Sequence, residues 1–174
     1  AVRIPGQEHA LGRNQMVLDL TREEVRNYII ESMSDVFSRG KVDYVKWDMN
    51  RNLSDYYSQG LAPRHQGEFG HRYILGLYQV IQTLTDRFPH ILFEACASGG
   101  NRFDLGMLCF MPQIWASDNT DAISRARIQN SYSYGYPQSV IAAHVSGCPN
   151  HQTLRRTPLT SRFAIASVGI LGYE

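Results

Sequence analysis

The run Val42-Asp43-Tyr44-Val45-Lys46-Trp47, followed at once by Asp48, decides how this chain is read. It is rich in β-branched and aromatic side chains and too short for a stable helix, so it predicts a buried strand with an acid at its carboxyl end. Downstream, Tyr73, Leu77, Val80, Ile81 and Leu84 recur on one helical face between Phe69 and Arg87, and Pro89 ends that helix. Two further strands follow, at Ile91 to Cys96 and Gln113 to Trp115. Strands that alternate with helices indicate parallel βαβ units, in which residues just past the strand ends line one face.

Upstream, residues 1–15 read as a loop and Met16 to Leu20 as a short strand-like piece. Thr21 and Glu24 have the spacing of a capping box, and the helix they would open carries Val25, Tyr28, Ile29, Met33, Val36 and Phe37 until Gly40 stops it. Toward the other end, Thr120 or Asp121 caps a helix running to about Tyr134, Ser139 to Val145 forms a strand, Thr157-Pro158 opens a helix, and Val168 to Leu171 makes a last strand. A closed eightfold barrel needs roughly 250 residues, and this chain has 174. An open parallel sheet leaves strand edges unpaired. The expected fold is therefore α/β, a partial (β/α)8 barrel, with the whole chain a fragment of one catalytic domain.

Composition removes several function classes. A net charge of +1 supplies no basic field for nucleic acid, and no apolar run approaches the roughly 18 residues of a membrane span. Cys96, Cys109 and Cys148 lack Cys-x-x-Cys spacing, which argues against a disulfide framework or zinc site and for a reducing, cytoplasmic setting. No signal peptide is evident at the start. The six histidines show neither His-x-x-x-His nor His-Glu-x-x-His, so neither metal nor cofactor is expected.

Asp48 has a counterpart in Trp115-Ala116-Ser117-Asp118-Asn119-Thr120-Asp121, which also follows a strand. Splitting a glycosidic bond takes one carboxyl group that protonates the departing oxygen and a second, ionised one that engages the anomeric carbon. Period-two alternation puts Lys46, Asp48 and Asn50 on one face, and a lysine beside a carboxylate favours its ionised form. Beside Asp118, the aromatic face of Trp115 suits both sugar stacking and a desolvated acid. On spacing alone Asp104 and Asp121 compete with Asp118. In Cys96-Ala97-Ser98-Gly99-Gly100-Asn101-Arg102 the two glycines fit either a plain turn or close approach of backbone to a ligand. Cys96 has no histidine at relay spacing, and packing or ligand contact is its expected role.

Taken in order, these motifs resemble the retaining α-galactosidases of glycoside hydrolase family thirty-six. The likeness runs from Gly12-Arg13-Asn14-Gln15 and Leu18-Asp19-Leu20 through Lys46-Trp47-Asp48-Met49-Asn50-Arg51, Glu94 and Cys96 to Asp104, Trp115 to Asp121, His144-Val145-Ser146, Arg156-Thr157 and Gly172-Tyr173-Glu174. It implies Asp48 as nucleophile and Asp118 as acid/base. It also implies Arg13, Lys46, Trp47, Asn50, Cys96, Ser98 and Trp115 around the sugar, strands four to eight of the barrel, and carboxyl groups roughly 5 to 6 Å apart. Ala116 and Asn101 depart from the usual pattern. The implied reaction is hydrolysis of terminal α-galactosyl residues from small galactosides such as melibiose and raffinose, with assembly of the full-length protein into a homo-oligomer left open. Competing readings are an α-N-acetylgalactosaminidase, galactosyl transfer like that of raffinose synthase, and a non-catalytic sugar-binding or structural fragment.

Overall fold

The computed structural model describes residues 1–174, which divide into two units, residues 1–43 with 50–91 and residues 44–49 with 92–174. Helices α1 (Glu23–Gly40) and α2 (Phe69–Arg87) belong to the first unit; α3 (Leu105–Leu108), α4 (Ala122–Tyr132) and α5 (Leu159–Ala166) belong to the second. The second unit also holds all five strands: β1 (Tyr44–Asp48), β2 (Leu92–Cys96), β3 (Gln113–Trp115), β4 (Ile141–Val145) and β5 (Ile170–Tyr173). They form one mixed α/β architecture, a parallel sheet in which each strand pairs with the next along the chain.

Register determines which side chains meet. Asp48 lies opposite Cys96, Lys46 opposite Glu94, Glu94 opposite Gln113, Trp115 opposite Ala142, and His144 opposite Gly172. Opposed residues share a face and successive residues alternate faces. Lys46, Asp48, Glu94, Cys96, Gln113, Trp115 and His144 therefore project from the same side. On the other side Ala143 and Val145 pack with Ala166 of α5. The Gln129 side-chain amide ties α4 to α5 by donating to the Ile165 carbonyl at 3.0 Å.

The strand expected at Val42 to Trp47 is present but not buried. As an outer strand with one neighbour, β1 alternates between exposed and half-buried residues, while β3 is buried throughout and β2 and β4 nearly so. β4 begins at Ile141, after a 3-10 turn over Gln138–Val140, and β5 begins at Ile170 because the turn leaving α5 occupies Ser167 to Gly169. One turn of helix, α3, is unforeseen; the Asp104 carboxylate caps it by accepting from the Met107 amide at 2.9 Å.

In the first unit α1 packs on α2. All five residues expected on the apolar face of α2 are buried. α1 departs from expectation: Ile30 and Phe37 alone are buried, whereas Tyr28 and Val36 are more than half exposed, since they lie off a seam one heptad long. Phe37 meets Phe88 edge-on at 5.5 Å. The capping box does not form. Arg22 is the N-cap but its side chain does not cap the helix, Glu24 pairs with Arg22, and the Thr21 hydroxyl donates instead to buried Asp19 at 2.6 Å. Met16 to Leu20 likewise joins no sheet; Asp19 anchors it by also accepting from the Ser58 hydroxyl at 2.6 Å. No helix is long and apolar enough to cross a membrane.

Candidate active site

β1 ends on Asp48, whose side chain is exposed, and the ladder continues one residue further as the Met49 amide donates to the Cys96 carbonyl at 3.1 Å. Two residues back on the same face, the Lys46 ammonium lies 3.6 Å from a Glu94 carboxylate oxygen. Glu94 is buried and gathers a polar layer: it accepts from the Tyr44 hydroxyl and, at 2.6 Å, from the Gln113 side-chain amide, which also donates to the Tyr44 oxygen at 2.8 Å. Burial, with the Glu94 carboxylate adding to it, pushes the Tyr44 phenol well above its usual range. These groups, with His144 and Tyr173, border a hollow of about 430 Å³ on this face of the sheet. Cys96 is buried against Asp48. Burial pushes its thiol up to about 11, the Gly99 backbone opposes this, and hydrogen bonding with the Asp48 carboxylate reinforces it. The thiol stays protonated at neutral pH, as expected for a packing or contact residue.

Past β3 three acids compete for one role, and hydrogen bonding separates them. Asp104 is occupied as the cap of α3. Asp121, rather than Thr120, caps α4: it is buried and accepts from the Ser124 amide at 3.0 Å, the Ser124 hydroxyl at 2.8 Å and the Arg155 guanidinium at 2.6 Å. Burial works toward protonation, but the Ser124 bonds and the Arg155 charge prevail and hold its carboxyl below the usual range. Thr120 serves elsewhere, its hydroxyl accepting from the Asn150 side-chain amide at 3.1 Å and its carbonyl from the Ser146 hydroxyl at 3.0 Å. Asp118 is left with its side chain exposed.

Trp115 does contact Asp118, but not as expected. Its indole Nε1–H donates to Asp118 Oδ1 at 2.9 Å, so the contact is an edge-on hydrogen bond rather than an apolar ring face. The ring itself is crowded, with the Lys46 ammonium 4.3 Å, the Arg125 guanidinium carbon 4.2 Å and the His144 ring centroid 4.5 Å from it. The two glycines after Cys96 also have a definite partner. Gly99 has φ +82°, and a Cβ there would lie 3.0 Å from Ser117 Cα; at Gly100 it would lie 2.1 Å from the Tyr132 hydroxyl and 2.7 Å from the Ala116 carbonyl oxygen. They let the Cys96–Arg102 loop pack directly on the Ala116–Asp118 loop.

The sheet unit thus holds Lys46, Trp47, Asp48, Cys96, Ser98, Trp115 and Asp118, whereas Arg13 and Asn50 belong to the first unit. Arg13 and Asn14 have φ of 55° and 58° between the bridged residues Gly12 and Gln15, the backbone of a two-residue hairpin tip. Trp47, by alternation, points to the face opposite Asp48. Sequence reasoning missed Arg125, Gln113 and the contact made by His144. Period-two counting along β3 and β4 reaches Gln113 and His144, but nothing distinguishes Arg125 from Arg127. No group of three or more His, Cys, Asp or Glu side chains is arranged to hold a metal ion.

A parallel sheet whose carboxyl edge bears exposed acids, an indole donor and a lysine paired with a buried carboxylate defines an α/β protein with its polar site at the strand ends, where such sheets bind their ligands. The family model described as Melibiase matches residues 1–174, and the chain belongs to that family. It is 53% identical over 173 residues to α-galactosidase 1 of Pediococcus pentosaceus and 52% identical over 173 residues to α-galactosidase AgaA of Geobacillus stearothermophilus, covering 99% of this chain and 24% of each relative. The chain therefore spans about a quarter of the length of the curated relatives it matches. Among solved structures it superposes on AgaA with a TM-score of 0.97 at 52% identity, covering 99% of this chain and 24% of that one. The α-galactosidase of Lactobacillus brevis matches with a TM-score of 0.97 at 49% identity, covering 99% and 23%. Variants of AgaA have been solved with raffinose and with stachyose.

Proposed function

We propose that these residues carry the catalytic acids of a retaining α-galactosidase and that the sheet is an arc of a (β/α)8 barrel, strands four to eight, within a larger catalytic domain. Asp48 acts as nucleophile and Asp118 as acid/base. A carboxylate oxygen of Asp48 attacks the anomeric carbon, the glycosidic C–O bond breaks, and the Asp118 proton passes to the departing oxygen. Water then attacks the same carbon and gives its proton to Asp118, and the bond to Asp48 breaks, releasing galactose with its configuration retained. The observation that carries this reading is that Asp48 and Asp118 are exposed at the ends of β1 and β3 while Asp104 and Asp121 are consumed as caps.

Spacing supports it. β1 and β3 flank β2, and neighbouring strands lie about 4.8 Å apart, so the two acids follow strands roughly 9.6 Å apart, and the reading requires their side chains to lean toward each other to the roughly 5 to 6 Å of a retaining pair. The two aspartates altered in the raffinose and stachyose complexes of AgaA are separated by the same interval as Asp48 and Asp118. Lys46, Cys96, Ser98 and Trp115 contact the sugar, and Trp47 acts through packing. The substrates are small galactosides such as raffinose, without a cofactor, and three free thiols favour a cytoplasmic setting. Proton NMR of melibiose hydrolysis by the full-length protein tests the reaction. α-Galactose as the first anomer formed supports the reading; β-galactose first, or no galactose, rejects it.

A further inference from the structure

Arg125 is the one charged side chain that α4 buries, with 2% of its surface exposed. A guanidinium taken out of water is costly unless its N–H groups are met. Here Nη2 donates to the Ala142 carbonyl at 3.2 Å, while Nε and Nη1 meet no acceptor. An apolar side chain of similar volume would fill the space without that cost, so packing does not account for the charge.

The face of the guanidinium meets Trp115, at 4.2 Å from the ring centroid, and the charges of Glu174, Asp118 and Glu94 also favour the cation. The ring's quadrupole attracts a cation, and in a chain of polar contacts each member polarises the next. A cation against the indole face therefore strengthens the N–H that Trp115 donates to Asp118 Oδ1 at 2.9 Å. That bond occupies one carboxyl oxygen and leaves Oδ2 to carry and deliver a proton. Lys46 and His144 also touch the ring, but each has a carboxylate partner of its own, Glu94 at 3.6 Å and Glu174 at 3.2 Å.

We propose that Arg125 is a positioning residue for the acid/base: acting through Trp115, it holds the Asp118 carboxyl in the orientation from which its proton reaches the departing oxygen. The inference rests on Asp118 being the acid/base, and the experiment keeps the two apart. In the full-length protein, kcat/KM is measured for melibiose, whose leaving oxygen must be protonated, and for a dinitrophenyl α-galactoside, whose leaving group departs unprotonated. General acid catalysis contributes roughly 10²- to 10⁴-fold, so Arg125→Met should lower kcat/KM for melibiose by about 10²-fold and for the activated substrate by less than about 3-fold, with Arg125→Lys recovering part of the loss. Equal losses on both substrates, or none on either, would overturn the proposal. Asp118→Ala is the control: it must show the same contrast more strongly, and its failure to do so removes the acid/base assignment itself. Should Arg125→Met not fold, as judged by its thermal melt, Arg125→Gln takes its place, since it keeps a side-chain N–H for the Ala142 carbonyl and loses only the charge. It must then reproduce the substrate contrast, and equal losses would again overturn the proposal.

Discussion

Asp48 and Asp118 reach the carboxyl edge of the sheet by different means. Asp48 is the last residue of β1; ladder bonds to β2 fix its backbone, and strand alternation aims its side chain. Asp118 stands three residues beyond the end of β3, where no ladder reaches, and side chains fix its loop. Asp121 is locked to Ser124 and Arg155, Thr120 to Asn150 and Ser146, and Gly99-Gly100 let the neighbouring loop pack close. An acid fixed by a strand inherits the rigidity of the sheet and should tolerate change in the loops. An acid fixed by a loop depends on a buried polar network whose members lie far apart in the chain.

The largest effect should come from the strand side. In the full-length protein Asp48→Ala is expected to lower turnover on the order of 10⁴-fold or more while leaving the thermal melt nearly unchanged, because an attacking atom is lost from an exposed position with little packing. Substantial residual turnover would show that the strand-borne acid is not the attacking group. On the loop side activity and stability should fall together. Gly100→Ala drives a methyl group into the Tyr132 hydroxyl and the Ala116 carbonyl, an overpacking that costs about 1 to 3 kcal/mol, and urea unfolding should report it alongside reduced activity. Full activity in a destabilised Gly100→Ala would mean that the Asp118 loop does not depend on this packing.

Asp121→Asn should have the smallest effect, and it depends on pH. The carboxyl is held below the ordinary value of 3.8, so its stabilisation is complete well above that pH and is lost as pH falls through the lowered folded-state value. Asparagine still caps a helix but loses the Arg155 pairing, so a cost of about 1 kcal/mol is expected at pH 7. The gap from the parent should shrink as pH drops below 3.8. Melts at pH 7 and pH 3 measure this, and a gap that widens in acid would contradict the network described for the loop.

The strand-borne half of the site was legible from the sequence, and the loop-borne half only in part. β-branched runs marked all five strands to within a few residues, and period-two counting put Lys46 and Asp48 on one face, because both signals are local. On spacing alone the choice among Asp104, Asp118 and Asp121 stayed open, since it depends on partners such as Arg155, which no local pattern links to a cap at Asp121. The glycines were recognised but their neighbour was not: they accommodate another loop, and the ligand need not come near them. At Thr21 the local capping pattern gave way to a tertiary contact, because the buried Asp19 carboxylate competes better for the hydroxyl than an exposed helix end. Arg125 and Arg127 stand two residues apart in a mostly polar helix, yet only Arg125 is buried, on the face that meets the ring of Trp115 in another element.

The most direct measurement is covalent trapping. The full-length protein, incubated with a fluorine-substituted galactosyl fluoride that slows release, digested and mapped by mass spectrometry, should carry one galactosyl group on the peptide containing Asp48, at Asp48 itself. A label on another acid, Asp118 included, or turnover that gives β-galactose first with no labelled peptide, would contradict the account.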